Sequence, residues 1–145
     1  WVPSYGPEMR GGTANCTVII SDERIGAPLV EQPTEVIAMN RAALAKFEND
    51  AAPGGTVFVN SSIIPDKVQR TDVTAVYVPC DEIAADLGNS KVANMVMLGA
   101  YVAATGVLKP ETIEHMIHEM FTGKKAKLVP LNMEALKRGI DCVQQ

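Results

Sequence analysis

The sequence predicts an α/β fold with a parallel or mixed sheet and a helical C-terminal half. Two observations carry that expectation. Between residues 16 and 90, four short β-branched runs alternate with segments of helical period, the pattern of strands joined by crossovers. From residue 90 onward only helical patterns follow. At 145 residues and 47% hydrophobic content, the chain is long enough to bury a real core. No linker, repeat or low-complexity tract divides it, so residues 1–145 read as one domain.

The strand runs are Cys16–Ser21 (CTVIIS), Glu35–Met39 (EVIAM), Thr56–Val59 (TVFV) and Val73–Val78 (VTAVYV). Their near-continuous apolarity predicts strands covered on both faces. Asn40 is placed to cap a helix over Arg41–Phe47, and Pro53-Gly54-Gly55 ends that unit. A second helix over Glu82–Leu87 starts at Asp81 or a neighbour and closes at Gly88. Ser90–Thr105 reads as the central helix. Val92, Met95, Val96, Met97, Leu98, Tyr101 and Val102 leave it almost no polar face, so it is expected in the core or against another subunit. Self-association of the isolated chain fits the same feature. Pro110 opens a helix with the stripe Ile113, Met116, Ile117, Met120 and Phe121. A last helix after Pro130 carries Met133, Leu136, Ile140 and Val143.

Composition excludes several classes. The net charge is −4 and no lysine- or arginine-rich run occurs, so nucleic acid is not an expected partner. No stretch reaches the roughly 18–20 apolar residues of a membrane span, and no secretory leader opens the chain. A cytoplasmic protein is expected. The three cysteines, Cys16, Cys80 and Cys142, lie far apart with no CxxC spacing. Neither a disulfide framework nor a cysteine-held zinc or iron–sulfur site is expected, and the thiols should be reduced and largely buried.

In an open α/β sheet, ligands gather at the carboxyl edge. Three strand ends are polar here: Asn40, Asn60-Ser61-Ser62 and Pro79-Cys80-Asp81. The same residue types also serve as helix caps and turns. A stronger feature is the stretch Ser4 to Thr13, SYGPEMRGGT. Arg10 directly before Gly11 and Gly12 lets a guanidinium and backbone N–H groups converge on one phosphate. A solvated glycine-rich loop would read the same way, and neither the Walker loop nor the dinucleotide fingerprint is matched. His115 and His118 sit beside Glu111 and Glu114, opposite the apolar stripe, which reads as a solvated face rather than a metal pair. No nucleophile–base set or GxSxG elbow is visible.

The run SYGPEMRGGTANCTVIIS, followed by DERIGAPLV, resembles the gamma subunit of 2-oxoacid:ferredoxin oxidoreductases. EVIAMN, GGTVFVNSS and NSKVANMVMLGAYVAATG resemble the same family in the same order. The resemblance covers Trp1 to about Phe121. It implies a Rossmann-like three-layer sandwich with a mostly parallel sheet. It implies a non-autonomous subunit of an enzyme that oxidatively decarboxylates a 2-oxoacid to acyl-coenzyme A, CO2 and reduced ferredoxin. In that family the gamma subunit holds coenzyme A, while thiamine diphosphate and the iron–sulfur clusters sit on alpha, beta and delta partner subunits. This chain shows neither a GDG…N thiamine motif nor cluster-spaced cysteines, which fits a coenzyme A holder.

Carried over by matching motif, Ser4, Tyr5, Gly6, Arg10, Gly11, Gly12 and Thr13 would bind coenzyme A. Asn40 and Asn60 join them from the strand ends. The family's other coenzyme A element, a glycine-rich loop after its first strand, would lie before Trp1, so the chain reads as N-terminally truncated. The SYGPEMRGG form is more similar to 2-oxoglutarate and branched-chain members than to pyruvate ones. The rival reading is a stand-alone nucleotide-binding or scaffold domain of Rossmann-like fold.

Overall fold

The computed structural model describes residues 2–4, 14–27 and 29–144, the first three by backbone alone. The chain folds as two compact units. One comprises Trp1–Val57 with Asp66–Ala75, the other Phe58–Pro65 with Val76–Gln145.

In the first unit, β1 (Val2–Ser4) pairs antiparallel with β2 (Asn15–Thr17). β3 (Glu35–Ala38) leads into α1 (Arg41–Phe47). Asn40 has extended backbone, and its side-chain oxygen accepts from Ala43 N at 2.8 Å, as a good N-cap does. The chain then turns through Pro53-Gly54-Gly55 into β4 (Thr56–Asn60). A Cβ on Gly55 would lie 2.5 Å from the Thr34 carbonyl oxygen and 2.8 Å from that of Ala52, so glycine alone passes there.

Residues 66–72 are strapped to the end of α1 by Arg70. Its guanidinium is bidentate to Asp72, at 2.9 and 2.6 Å, and donates to the Ala51 carbonyl at 2.5 Å and the Glu48 carbonyl at 3.2 Å. The buried Glu48 carboxylate accepts from Gln69 N at 2.9 Å. The Arg70 donors meet backbone carbonyls left unsatisfied where the helical segment ends.

β3, β4 and β5 (Thr74–Val78) form a sheet in that order. Backbone bonds join starts to starts and ends to ends. Thr56 N donates to Thr34 O, Thr74 N to Gly55 O and Ser61 N to Val78 O, at 2.8 to 2.9 Å. The three strands therefore run parallel, and the expected Rossmann-like α/β arrangement is present. β4 is buried from Val57 to Asn60, as a strand covered on both faces must be. β3 instead alternates, with Ile37 exposed, and β5 is mostly half-buried.

The second unit contains α2 (Cys80–Asp86), α3 (Ala93–Thr105), α4 (Pro110–Met120) and α5 (Val129–Val143). Gly106 ends α3 in the left-handed region, φ 64°. Val96, Met97, Ala100 and Val102 of α3 are buried, because α5 lies directly on this helix. The approach is so close that a Cβ on Gly99 would overlap the Leu136 carbonyl, and one on Gly139 the Val96 carbonyl. Around it Val102, Ile113, Ile117, Val129 and Leu136 form one core cluster.

Four expectations need correction. The run Cys16–Ser21 is a strand only to Thr17, with Val18 61% and Ile20 55% exposed; apolarity alone does not tell a buried strand from an uncovered one. The central helix opens with a 3-10 turn, Ser90–Val92, in which Asn89 accepts from Lys91 N at 3.0 Å. In α4 only Ile113 and Ile117 of the stripe are buried, while Met116 and Met120 are exposed. Cys16 is also exposed, since it occupies the outward side of β2; Cys80 is buried and Cys142 half-buried. Among the described residues no helix is long and apolar enough to cross a membrane.

Candidate functional site

At the carboxyl ends of β4 and β5 the second unit gathers three polar side chains. Asn60, the last residue of β4, is 1% exposed. Its Nδ2 donates to Asp81 Oδ2 at 2.6 Å, while its Oδ1 has no hydrogen-bond partner. A buried acceptor without a donor costs about 1–3 kcal/mol, so Asn60 Oδ1 is an unsatisfied group at the end of β4. Ser62 Oγ accepts from both Asp81 N and Glu82 N, each at 3.1 Å. It thereby closes the first turn of α2, where Pro79 at the N-cap has no side chain to do so. Asp81 and Glu82 in that turn place negative charge where a helix start favours it.

Cys80 opens α2 with its thiol buried and its pKa pushed up to about 12. Burial is the main cause, with Asp81 and Cys142 adding to it. Burial likewise raises Cys142. A thiol held protonated is a packing group and not a nucleophile.

The expected binding residues fare differently. Asn40 sits at the end of β3, exposed, with its side-chain oxygen engaged as the cap of α1. Asn60 is the buried residue just described. Ser4 closes β1 opposite Asn15. Tyr5, Gly6, Arg10, Gly11, Gly12 and Thr13 lie outside the described residues. Ser62 and Asp81 were legible only as polar strand ends; that they bond to each other's elements needed the fold. His115 and His118 are both exposed on α4. Among the described residues no three histidine, cysteine or acidic side chains gather around a point. Within the first unit, Arg41, Leu44, Glu48 and Asp66 help line an open depression of about 380 Å³. Its guanidinium is already committed, with Arg41 Nε 2.7 Å from Asp66 Oδ2.

The model of the family described as pyruvate ferredoxin/flavodoxin oxidoreductase matches residues 1–142. Ketoisovalerate oxidoreductase subunit VorA of Methanothermobacter marburgensis is 38% identical over 143 residues, 97% of this chain and 29% of VorA. 2-oxoglutarate synthase subunit KorC of Methanocaldococcus jannaschii is 38% identical over 79% of this chain and 62% of KorC. The chain thus spans about three tenths of VorA and less than two thirds of KorC. The gamma subunit of a keto/oxoacid ferredoxin oxidoreductase from Geobacter sulfurreducens superposes with a TM-score of 0.82 at 31% identity, over 98% of this chain and 78% of that one. A 2-oxoglutarate:ferredoxin oxidoreductase from Magnetococcus marinus, solved with 2-oxoglutarate, coenzyme A and succinyl-CoA bound, shares the fold. Its TM-score is 0.75 at 20% identity, over 86% of this chain and 22% of that one. A parallel sheet with a polar carboxyl edge, a helical C-terminal half and a family match from end to end lead to one placement: the chain belongs to the pyruvate ferredoxin/flavodoxin oxidoreductase family.

Proposed function

We propose that this chain is the gamma-type part of a 2-oxoacid:ferredoxin oxidoreductase and binds coenzyme A for the formation of acyl-coenzyme A, CO2 and reduced ferredoxin. The observation that carries the reading is the likeness to the Geobacter gamma subunit over nearly the whole chain. 2-Oxoglutarate is the favoured substrate, in keeping with the SYGPEMRGG form of the N-terminal motif, while relatives of the 2-oxoglutarate and the ketoisovalerate kind both match at 38% identity.

The chemistry divides between chains. By the family resemblance, alpha and beta partners would hold thiamine diphosphate, whose chemistry would be the electron sink for decarboxylation, and beta and delta would hold the iron–sulfur clusters for electron transfer. This chain's part is positioning. A thiol held near the acyl carbon reacts as if intramolecular, which lowers the entropic part of the barrier.

The residues fit such a ligand in two ways. Asn60 Oδ1 is a neutral acceptor without a donor, suited to an N–H or O–H of the ligand. The phosphate is assigned from the sequence motif alone, to Arg10 with Gly11 and Gly12 and their neighbours Ser4, Tyr5, Gly6 and Thr13.

The test is Arg10→Ala in the assembled enzyme. Losing one charge-assisted contact of about 1.5–3 kcal/mol raises the KM for coenzyme A roughly 10- to 100-fold, with kcat at saturation little changed. An unchanged KM removes Arg10 from the site.

A further inference from the structure

Along α1, within the first unit, lies the open depression of about 380 Å³, the size of a small-molecule pocket. Residues of α1 line one side and residues 66–69 the other; the latter belong to a stretch, 64–70, that carries neither helix nor strand. The buried Leu44 and Ala45 supply apolar lining. Two carboxylates and two cations share the lining, but on unequal terms. Glu48 is engaged, since Gln69 N donates to its Oε1 at 2.9 Å and the Arg70 guanidinium feels its charge. Arg41 and Asp66 are matched less well. Arg41 Nη2 donates to Asp66 Oδ1 at 3.0 Å, and Nε lies 2.7 Å from Oδ2. Yet Oδ2, shut off from water, makes no hydrogen bond. The closer approach is therefore out of line, and a misaligned contact is weak. The Arg41 side chain is 72% exposed and that of Asp66 39%, so the pair adds little to stability.

A guanidinium recognises a carboxylate by planar, two-point contact. Here a carboxylate of the chain itself sits on a guanidinium at an apolar recess, in poor geometry and at little gain. We infer that the recess along α1 is a binding site for an organic monocarboxylate with an apolar body, and that Asp66 is its built-in competitor. The ligand carboxylate replaces Asp66 on Arg41, and its body covers Leu44 and Ala45. Asp66 turns out to water, where both of its oxygens are hydrated. Its place in the stretch 64–70 lets it leave without breaking a helix or strand. With Asp66 gone and Glu48 paired, the charges left in the lining are those of Arg41 and Lys67, which favour an anion. The site stands whether or not the chain holds coenzyme A.

The probe is octanoate, titrated into the full chain and followed by NMR through the backbone amides. Acetate supplies the carboxylate alone and octanol the apolar body alone. Octanoate shifts the amides of Ala45, Glu48 and Gln69, and acetate and octanol bind there at least about tenfold more weakly. Arg41→Ala weakens octanoate binding by about tenfold or more. Asp66→Asn, which removes the competing charge, tightens it by about 1.5- to 5-fold. Both side chains reach solvent, so the variants fold; where Arg41→Ala does not, Asp66→Asn decides alone. Octanol binding as tightly as octanoate reduces the recess to an apolar patch and overturns the inference. Asp66→Asn binding octanoate no more tightly than the wild type removes Asp66 as competitor and overturns it too. Shifts confined to the exposed apolar residues between 18 and 30 do the same. Displacement of octanoate by coenzyme A makes the recess part of the coenzyme A site, and the inference again fails.

Discussion

Replacing Gly139 by Ala is the sharpest probe of the helical half, because two effects of known size oppose each other. In an exposed helix interior the change stabilises by about 1 kcal/mol, since glycine is the poorer helix former. At the α3–α5 crossing the added methyl meets the Val96 carbonyl and closes to 2.8 Å from its carbon. That group is backbone within a buried helix and cannot turn away. Overpacking of this kind costs about 1–3 kcal/mol, and the rigid obstacle puts it at the upper end. The net expectation is a loss of about 2 kcal/mol, or a fall in Tm of roughly 4–8 °C for a chain of this size. Thermal and urea unfolding of the purified chain, followed by circular dichroism, measure it. Gly99→Ala behaves alike, because its Cβ overlaps the Leu136 carbonyl. The double variant loses less than the sum, since the first methyl already parts the helices. A Tm equal to the wild type's or higher would refute the close approach.

Three further expectations follow from other parts of the structure. Native Cys80 resists alkylation at about pH 8, far below its pKa of about 12, while exposed Cys16 reacts at once and urea opens all three thiols; equal rates for Cys16 and Cys80 in the folded chain would contradict the burial. Asn40→Ala lowers stability by about 1 kcal/mol and Asn40→Ser restores most of it, in urea titrations, because the side chain caps α1. The hydrogen bond and charge of Arg70 hold the Asp72 carboxyl below its usual 3.8, so its contribution is present above that pH and is lost as the pH falls through the lowered value. Asp72→Asn therefore flattens the acid limb of the stability curve, and an unaltered limb would show the pair to be idle.

What the sequence made legible was what local rules govern. The helix over Arg41–Phe47, its Asn40 cap and the stop at Gly106 each depend on a few neighbouring residues, and each is found as expected. Three of the four strands also agree to within a residue. The misses come from long-range cover. CTVIIS carries the same apolar run as TVFV, yet only TVFV has neighbours on both faces. Met116 and Met120 fit the helical stripe of α4, but the packing of that helix stops at the row of Ile113 and Ile117. The contacts among Asn60, Ser62 and Asp81 join residues about twenty positions apart, so spacing could mark them as polar strand ends and no more. The bonding of Ser62 to α2 needed the parallel pairing of β4 with β5.

The placement of Ser62 has a thermodynamic consequence. Its hydroxyl oxygen serves two amides of α2 at once, although it belongs to the loop after β4. A ligand group that recruits this oxygen competes with those amides for its lone pairs, so binding there and order in the first turn of α2 are linked. Linkage is reciprocal: whatever tightens that turn changes affinity at the strand end by the same factor. Were a ligand group to take Ser62 Oγ, the Asp81 and Glu82 amides would lose their acceptor, and their faster exchange would report it without any change in the sheet itself.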